Sequence, residues 1–416
     1  MFRFIALGLV LSLVSNTFAA DWPQWRGPNR DGKLTGVSPW PDSVDGRHLK
    51  VSWRSKMGPS YSGPLVVGSR VFVTETRSKS HEVVRALDRK SGQQLWQAEW
   101  RGAMKVPFFA AANGSWIRST PACDGKTLFV LGIRDLLVAL DVASGEVRWR
   151  IDFMKKFRSP LPSFGAVCSP VLDGDYLYLQ AGASVVKIEK KTGNVVWRLG
   201  GQAQKKSLFG SAMTSSAFSS PVIEKIDGQR QLLVQGRNAL AGVDLESGKT
   251  LWSVKVPAFR GMNIQTPLAI NGDLFTSSYG GGTFLFDVTR QGSQFDVNQR
   301  WKTTVQGYMS SPIEIDGHVY LHLRNQRFTC IEPKTGKTKW VTRPYGKYWS
   351  MVANGNRILA LDERGDLLLI DANPKAFKAI STRHLSDSTT WAHLAVAGNQ
   401  VVIRELDAIS TYTWTP

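Results

Sequence analysis

The chain has 416 residues, with 52 Lys and Arg against 33 Asp and Glu, and a formal net charge of +19. A hydrophobic content of 42% excludes intrinsic disorder, and no apolar run beyond residue 20 reaches the roughly 20 residues that a membrane-spanning helix needs. At roughly 100–200 residues per domain the length favours three domains, unless a barrel or a propeller holds the chain as one unit.

The first twenty residues have the layout of a secretory signal peptide. A basic start at Arg3 precedes an apolar run at 4–14, and small residues follow up to Ala19 and Ala20. We therefore expect an exported protein, periplasmic or extracellular, that is cleaved after Ala19 or Ala20. No cysteine follows the apolar run, so the segment does not predict a lipid anchor.

Three cysteines, Cys123, Cys168 and Cys330, are scattered along the chain. An odd number leaves at least one of them free or paired between chains, and no CxxC motif is present. Buried apolar packing is the favoured interpretation of all three, rather than a metal or redox role.

Beyond a leader segment at 21–47, one sequence unit recurs along the chain. Each copy has a small or apolar residue, an acid, a polar stretch ending in Ser/Thr-Gly, and a Trp four residues after the Gly. The clear copies are ALDRKSGQQLW (86–96), ALDVASGEVRW (139–149), KIEKKTGNVVW (187–197), GVDLESGKTLW (242–252) and CIEPKTGKTKW (330–340). The segment 285–301 is the same unit with an insertion, and 368–377 is a degraded copy without Trp.

Each copy is preceded by two further landmarks, a Pro that follows Ser, Thr or Gly and then a turn that ends in Gly. The Pro residues are Pro64, Pro121, Pro170, Pro221, Pro267 and Pro312, and Val352 and Ala395 hold the equivalent place in later copies. The turns end at Gly68, Gly125, Gly174, Gly228, Gly272, Gly317, Gly355 and Gly398. Asp-Gly and Asn-Gly between apolar runs are a strong hairpin signal, so eight turns predict eight units of four short strands, A to D.

The last unit supplies only three strands, whereas HLKVSWRSK (48–56) is a spare strand ahead of the first Pro. The spare strand carries Trp53 at the position of a strand D. Pairing it with the last unit would close a ring and leave no open edge. We therefore predict an all-β fold in which 48–416 forms one eight-bladed β-propeller closed by an N-terminal strand.

The acid and the Trp of each unit are predicted to be structural. An acid before a Gly turn accepts backbone N–H bonds, and a Trp on the outermost strand can wedge between neighbouring blades. These blade-motif residues are Asp88, Trp96, Asp141, Trp149, Trp197, Asp244, Trp252, Trp301 and Trp340.

The unit A-x-D-x-x-[ST]-G-x-x-x-W resembles the repeat of the pyrroloquinoline quinone (PQQ) propeller superfamily. About seven copies cover nearly the whole chain after the leader, and DWPQWRGPNRDG (21–32) is similar to the start of exported bacterial PQQ-like propellers that are abundant in planctomycetes. One branch of the superfamily contains quinoprotein dehydrogenases. Another contains the non-catalytic outer-membrane assembly lipoprotein BamB, itself an eight-bladed propeller.

The dehydrogenase branch implies PQQ, a calcium ion held by Glu, Asn and Asp, an Asp base and, in several members, adjacent half-cystines. No two cysteines are adjacent here, and no Glu/Asn/Asp set stands out in the loops. We predict no cofactor, no metal and no catalytic residue, and PQQ with calcium belongs only to the alternative. The BamB-like branch implies a lipid anchor on an N-terminal Cys, which this signal peptide lacks.

The D-to-A and B-to-C connections of a propeller open on one face, which we call the mouth face. The D-to-A segments 100–118, 152–164, 200–218, 257–263 and 343–350 mix Lys and Arg with aromatic residues and almost lack acids. Six B-to-C turns also contain an Arg. The candidate ligand-binding residues are Arg77, Arg134, Arg237, Arg324, Arg364 and Arg404, with Trp116, Trp349 and Trp391.

Two interpretations of these residues stay open. A ring of guanidinium groups beside aromatics can hold an anionic ligand; alternatively, each Arg pairs with an acid or keeps its turn soluble, and the aromatics plug the channel. We favour a non-catalytic exported scaffold that binds a protein or an anionic glycan, with a PQQ-dependent dehydrogenase of reduced size as the alternative. We expect a monomer with no nucleic-acid module and no membrane span.

Overall fold

A computed structural model describes residues 21–161, 163–200 and 217–415, which are almost entirely β. The predicted signal peptide at 1–20 lies outside this part of the chain. The leader and the segment after it contain β1 (Lys33–Leu34) and β2 (Leu49–Lys56).

Eight sheets follow in chain order, and each is an antiparallel meander of strands A to D from the channel outward. Blade 1 contains β3 (Leu65–Val67), β4 (Arg70–Arg77), β5 (His81–Asp88) and β6 (Gln94–Arg101). Blade 2 contains β7 (Ala122–Cys123), β8 (Thr127–Leu131), β9 (Leu136–Asp141) and β10 (Val147–Asp152). Blade 3 contains β11 (Val171–Asp173), β12 (Tyr176–Ala181), β13 (Ser184–Glu189) and β14 (Val195–Gly200). Blade 4 contains β15 (Val222–Ile226), β16 (Gln229–Gln235), β17 (Ala239–Asp244) and β18 (Thr250–Lys255).

The second half of the ring has the same plan. Blade 5 contains β19 (Leu268–Ile270), β20 (Asp273–Ser278), β21 (Gly282–Gln291) and β22 (Gln294–Thr303). Blade 6 contains β23 (Ile313–Ile315), β24 (His318–His322), β25 (Phe328–Glu332) and β26 (Lys337–Val341). Blade 7 contains β27 (Trp349–Asn354), β28 (Arg357–Asp362), β29 (Asp366–Asp371) and β30 (Lys378–His384). Blade 8 contains β31 (Ala395–Ala397), β32 (Gln400–Arg404) and β33 (Ala408–Trp414).

The eight-bladed propeller is confirmed, and so is its closure by an N-terminal strand. Strand β2 pairs antiparallel with β33, from Leu49 opposite Trp414 to Lys56 opposite Ala408. It thus becomes strand D of blade 8. Within the ranges described above, helical structure is confined to the connections, in α1 (Phe153–Phe157) and two 3-10 turns at Phe108–Asn113 and Phe259–Gly261. No helix in the described ranges is long and apolar enough to cross a membrane.

The Trp residues of the repeat lie between blades. The indole N–H of Trp53, Trp96, Trp149, Trp197, Trp301 and Trp340 donates to a main-chain carbonyl in the next blade at 2.7–3.0 Å. The turn Gly of that next blade packs on the ring, and a Cβ on Gly145 would meet Trp96 at 2.5 Å. Trp252 instead donates to Gln231 of its own blade at 2.7 Å.

The acids of the repeat close the strand C to D turns. Asp88 accepts from the main-chain N–H groups of Lys90 and Ser91 at 3.1 and 2.8 Å. Asp141 and Asp244 accept from the N–H groups of Ser144 and Ser247 in the same way, at 2.9 and 2.8 Å. These contacts satisfy turn amides that the strand ladder leaves unpaired.

Hydroxyl groups that precede Pro residues tie neighbouring blades together around the channel. Ser169 accepts from the N–H of Thr120 at 3.0 Å, and Ser220 accepts from that of Ser169 at 2.9 Å. Thr120 accepts from Gly63 at 3.0 Å in the same manner. Each bond joins the start of one strand A to the next, which accounts for the Ser or Thr that precedes the Pro.

The leader crosses the channel and touches strands A on opposite sides of the ring. Trp22 exchanges two main-chain hydrogen bonds with Val66 of blade 1, and β1 pairs in parallel with β27 of blade 7. Arg30 donates to the carbonyls of Pro170 and Ser169 in blade 3, at 2.7 and 3.1 Å. Arg26 donates to the carbonyl of Pro312 in blade 6 at 2.5 Å. The leader is therefore part of the folded propeller and fills its channel.

The three cysteines are buried and free, as the interpretation of apolar packing predicts. Burial raises the pKa of Cys123 and of Cys168 to about 12, and that of Cys330 to about 11. Such thiols stay protonated and unreactive near neutral pH.

Candidate functional site

A cavity of about 280 Å³ lies on the propeller axis at the mouth face, and we call it the mouth pocket. All eight D-to-A connections contribute to its wall. Its lining side chains include Trp25, Tyr61, Arg118, Met262, Trp391 and His393.

An aromatic collar surrounds the pocket, with one ring from each D-to-A connection. Its members are Tyr61, Phe109, Phe164, Phe218, Phe259, Tyr308, Tyr348 and Trp391. Phe109, Phe164 and Phe218 follow one another at centroid distances of 6.0 Å. Tyr308, Tyr348, Trp391 and Tyr61 form a second run at 6.1, 4.3 and 4.6 Å, and Tyr279 joins Phe259 to Tyr308 at 5.0 and 5.2 Å.

Two guanidinium groups lie where the aromatic runs meet. The Cζ of Arg237 is 5.0 Å from the ring centroid of Phe218, and its Nη2 donates to the carbonyl of Arg260 at 2.6 Å. The Cζ of Arg118 is 5.4 Å from the ring centroid of Tyr61. Both contacts have cation–π geometry.

The floor of the pocket is Trp25 of the leader. The Trp25 ring lies 6.0 Å from the His393 ring. The guanidinium groups of Arg26 and Arg30 lie 5.6 and 5.4 Å from the Trp25 ring. Burial lowers the pKa of His393 to about 3, so this side chain is neutral at physiological pH. Burial also lowers the pKa of Arg30 to about 9 and that of Arg26 to about 10.

Arg118 is the cationic group of the pocket wall. Its Nη2 donates to the carbonyl of Gly114 at 2.8 Å, whereas its buried Nε has no hydrogen-bond partner. Among the described residues no carboxylate forms an ion pair with it, and burial lowers its pKa. The guanidinium is therefore partly desolvated, and no carboxylate among the described residues compensates its charge.

A second cavity of about 350 Å³ adjoins the mouth pocket and shares Tyr61, Asn113, Tyr348 and Trp391 with it. Charged side chains of both signs line its far side, namely Lys347, Glu363, Arg364 and Asp387. We call these two adjoining cavities together the groove; its apolar end lies on the axis and its polar end lies over blades 7 and 8.

Comparison with known proteins fits this architecture. A family model described as outer membrane protein assembly factor BamB matches residues 80–342. The chain belongs to this family. The predicted resemblance to PQQ-like propeller repeats is thereby confirmed.

Individual relatives are distant. The chain is similar to the outer membrane protein assembly factor BamB of Yersinia pestis, with 21% identity over 75% of each chain. The crystal structure of BamB from Moraxella catarrhalis superposes with a TM-score of 0.64 and 14% identity, covering 88% of this chain and 98% of that one. A europium-containing methanol dehydrogenase superposes with a TM-score of 0.69 and 13% identity, covering 94% and 98%. At such identities the two structures show the shared fold alone.

The mouth pocket does not fit PQQ with calcium. Calcium takes six to eight oxygen ligands, carboxylates among them, and the described residues of the lining include no Asp or Glu. In the part of the chain that the structure describes, no three His, Cys, Asp or Glu side chains are grouped to hold a metal. The donor set offered is one guanidinium, one neutral imidazole, amides and hydroxyls.

The six predicted Arg residues do not form a single ring, and none of them lines the mouth pocket. Arg237 joins the collar, and Arg324 donates to the hydroxyl of Tyr279 at 3.2 Å. Arg77 pairs with Glu75 at 3.0 Å and Glu99 at 2.9 Å, while Arg364 pairs with Asp362 at 3.3 Å.

The remaining two Arg residues have opposite environments. Arg134 is exposed at its turn. Arg404 is completely buried between blades 8 and 1, where it donates to main-chain carbonyls, so it does not reach the rim. It occupies the same B-to-C turn as the Arg residues of the other blades, but in blade 8 the neighbouring strands cover it.

The predicted Trp residues lie close to the pocket. Trp349 and Trp391 line it, and Trp116 lies two residues before Arg118 in the same connection. The sequence interpretation missed Arg118 and the Trp25 floor. One signal was present, because a residue three positions before each Pro reaches the pocket; these are Tyr61, Arg118, Val167, Phe218, Ile264 and Met309.

Asp135, in a B-to-C turn of the mouth face, should make stability depend on pH. It is buried and accepts from the N–H of Gly182 at 2.7 Å, and burial raises its pKa from 3.8 to about 6. The folded protein therefore holds a proton that the unfolded chain releases, so stability falls as pH rises from about 4 to about 6.

Replacing Asp135 by Asn should remove this dependence, because an amide oxygen can still accept from Gly182 and carries no charge to desolvate. We expect the variant to gain on the order of 3 kcal/mol relative to the original protein above pH 6 and little at pH 4. Denaturant unfolding at several pH values measures it. The exposed Asp175→Asn exchange is the control, and a pH-independent difference would contradict the prediction.

Proposed function

We propose that this protein is a non-catalytic binding scaffold whose mouth face engages another protein. The observation that carries the proposal is the exposure of Phe108 and Phe109 at the tip of the blade 1 to 2 connection, 90% and 65% of each residue. These rings contact each other at 5.7 Å and extend the collar outward. Large exposed aromatics grouped in this way are typical of protein interaction sites.

Charge on the same face supports a partner with acidic groups. Lys105 and Lys156 are exposed in the connections that flank the two Phe side chains, and Arg158 follows α1. With a net charge of +19, the chain attracts acidic surfaces over distance, and the aromatic residues supply apolar contact at close range. An anionic glycan offers charge to this face but little apolar surface for Phe108 and Phe109, so we favour a protein.

Similarity to outer membrane protein assembly factors suggests the setting. We place the partner among exported proteins of the cell envelope, in keeping with the predicted signal peptide and with the names of the relatives. The proposal includes no cofactor.

Site-specific photo-crosslinking tests this function. A p-benzoylphenylalanine in place of Phe108 should give discrete crosslinked proteins in cells that make the protein. The same group at Leu95 is the control, because Leu95 is 49% exposed on an outer strand away from the mouth face. Identical patterns from the two positions, or no protein product from position 108, would overturn the proposal.

The alternative function, a PQQ-dependent dehydrogenase, is tested on the same purified protein. Titration with PQQ and calcium should produce neither a saturable absorbance change nor a rise in melting temperature, because the pocket offers no carboxylate for the metal. Tight binding with dye-linked oxidation of an alcohol or a sugar would favour the enzyme over the scaffold.

A further inference from the structure

We propose that the groove formed by the mouth pocket and the adjoining cavity binds an extended peptide segment of the partner, one that carries an acidic residue beside an aromatic residue. The aromatic side chain enters the mouth pocket, and the carboxylate pairs with Arg118. This inference rests on the proposed function and assigns the chemistry that the mouth face recognises.

The environment of the Arg118 guanidinium favours an anionic ligand. A desolvated guanidinium without a carboxylate is costly, and a bidentate carboxylate partner would offset that cost. Nε is buried without a hydrogen-bond partner, and Tyr61 covers one face of the group at 5.4 Å. An acidic side chain arriving from the pocket would compensate the charge of the guanidinium at its accessible edge.

The pocket beside Arg118 suits an aromatic side chain. Trp25 closes its floor, Trp391 and Tyr61 stand on one wall, and Met262 stands on another. Ring-on-ring contacts add to the gain from burying apolar area, and thioether sulfur packs favourably against aromatic rings. His393 is neutral, so it adds no charge at the floor.

The shape of the groove favours an extended chain over a compact ligand. The two cavities, of about 280 and 350 Å³, lie side by side and share Tyr61 and Trp391 in their walls. Beyond these rings the groove presents Lys347 and Glu363, which can meet the polar main chain and side chains of a peptide. An aromatic anchor with a polar continuation is the usual division of a peptide-binding groove.

Titration with short blocked peptides tests the inference. The probe is Ac-Gly-Asp-Phe-Gly-NH2, compared with forms in which Asn replaces the Asp or Ala replaces the Phe. Quenching of tryptophan fluorescence and calorimetry give the affinities. We expect the Asp-Phe peptide to bind about tenfold more tightly than either of the other two.

Two variants of the protein separate the contribution of the Arg118 charge from that of the pocket volume. Arg118→Gln should remove the preference for Asp over Asn while keeping the preference for Phe over Ala, and the exposed Arg134→Gln exchange on the same face should change neither. Because Arg118 also holds Gly114, its variant can disturb the loop. Met262→Trp is the second test, since it fills pocket volume while Arg118 itself is unchanged, and it should weaken binding of the Asp-Phe peptide about tenfold.

Equal binding of the three peptides, or an Asp preference that survives Arg118→Gln, would overturn the inference. So would unchanged binding to the Met262→Trp variant. If the three peptides show no difference in binding while position 108 still crosslinks a protein, the groove proposal is wrong and the scaffold proposal stands. Loss of the crosslink from position 108 would instead remove the proposed function itself.

Discussion

Replacing Arg404 by Met is expected to lower the free energy of unfolding by about 3–5 kcal/mol. The guanidinium is completely buried where blade 8 meets blade 1, and it donates to the carbonyls of Ala408 at 2.9 Å and Thr74 at 3.3 Å. It also donates to the carbonyls of Gly58 and Glu405. A methionine fills much of the volume but donates no hydrogen bond to these carbonyls.

The matched control is Arg134→Met, because Arg134 occupies the corresponding turn of blade 2 and is exposed. Its effect should stay within about 0.5 kcal/mol. Chemical denaturation of both variants measures the difference, and hydrogen exchange should show faster opening of β2 and β33 in the Arg404 variant alone. Similar stability of the two variants would mean that the closure does not depend on this cation.

The propeller was predictable because its information is local and repeated. Asp227, Asn271 and Asp316 adopt positive φ together with the Gly that follows each, as the hairpin signal requires. The offset from Pro to strand A is constant, and Trp53 marked the closing strand. Each landmark depends on a few neighbouring residues, so the strand positions predicted from one copy of the repeat could be checked against the other copies.

The site was less predictable because its residues come from the parts that do not repeat. The B-to-C Arg residues share a position, yet burial differs from blade to blade, so Arg404 lies inside the protein while Arg134 is exposed. Arg118 shares its offset with apolar residues and was hidden among loop cations. The position of Trp25 depends on where the leader enters the channel, and no local sequence pattern predicts that path.

Replacing Arg30 by Met is expected to cost about 2–4 kcal/mol and to loosen the floor of the mouth pocket. Two carbonyls of blade 3, those of Pro170 and Ser169, would lose their donors, and Trp25 would lose the cation 5.4 Å from its ring. The desolvation cost of the buried charge, which lowers its pKa to about 9, partly offsets this loss. Thermal and denaturant unfolding measure the change.

Arg47→Met is the control within the leader, because the Arg47 side chain is 86% exposed and pairs with nearby Asp45. It should leave both stability and peptide affinity unchanged. Arg30→Met, in contrast, should lower stability and also weaken binding of the Asp-Phe peptide. Reduced stability with full affinity would show that Arg30 supports the channel but not the pocket floor. Because the leader joins blades 3 and 6 through side chains and blade 7 through strand pairing, and one of its rings forms the floor, folding and binding are expected to fail together.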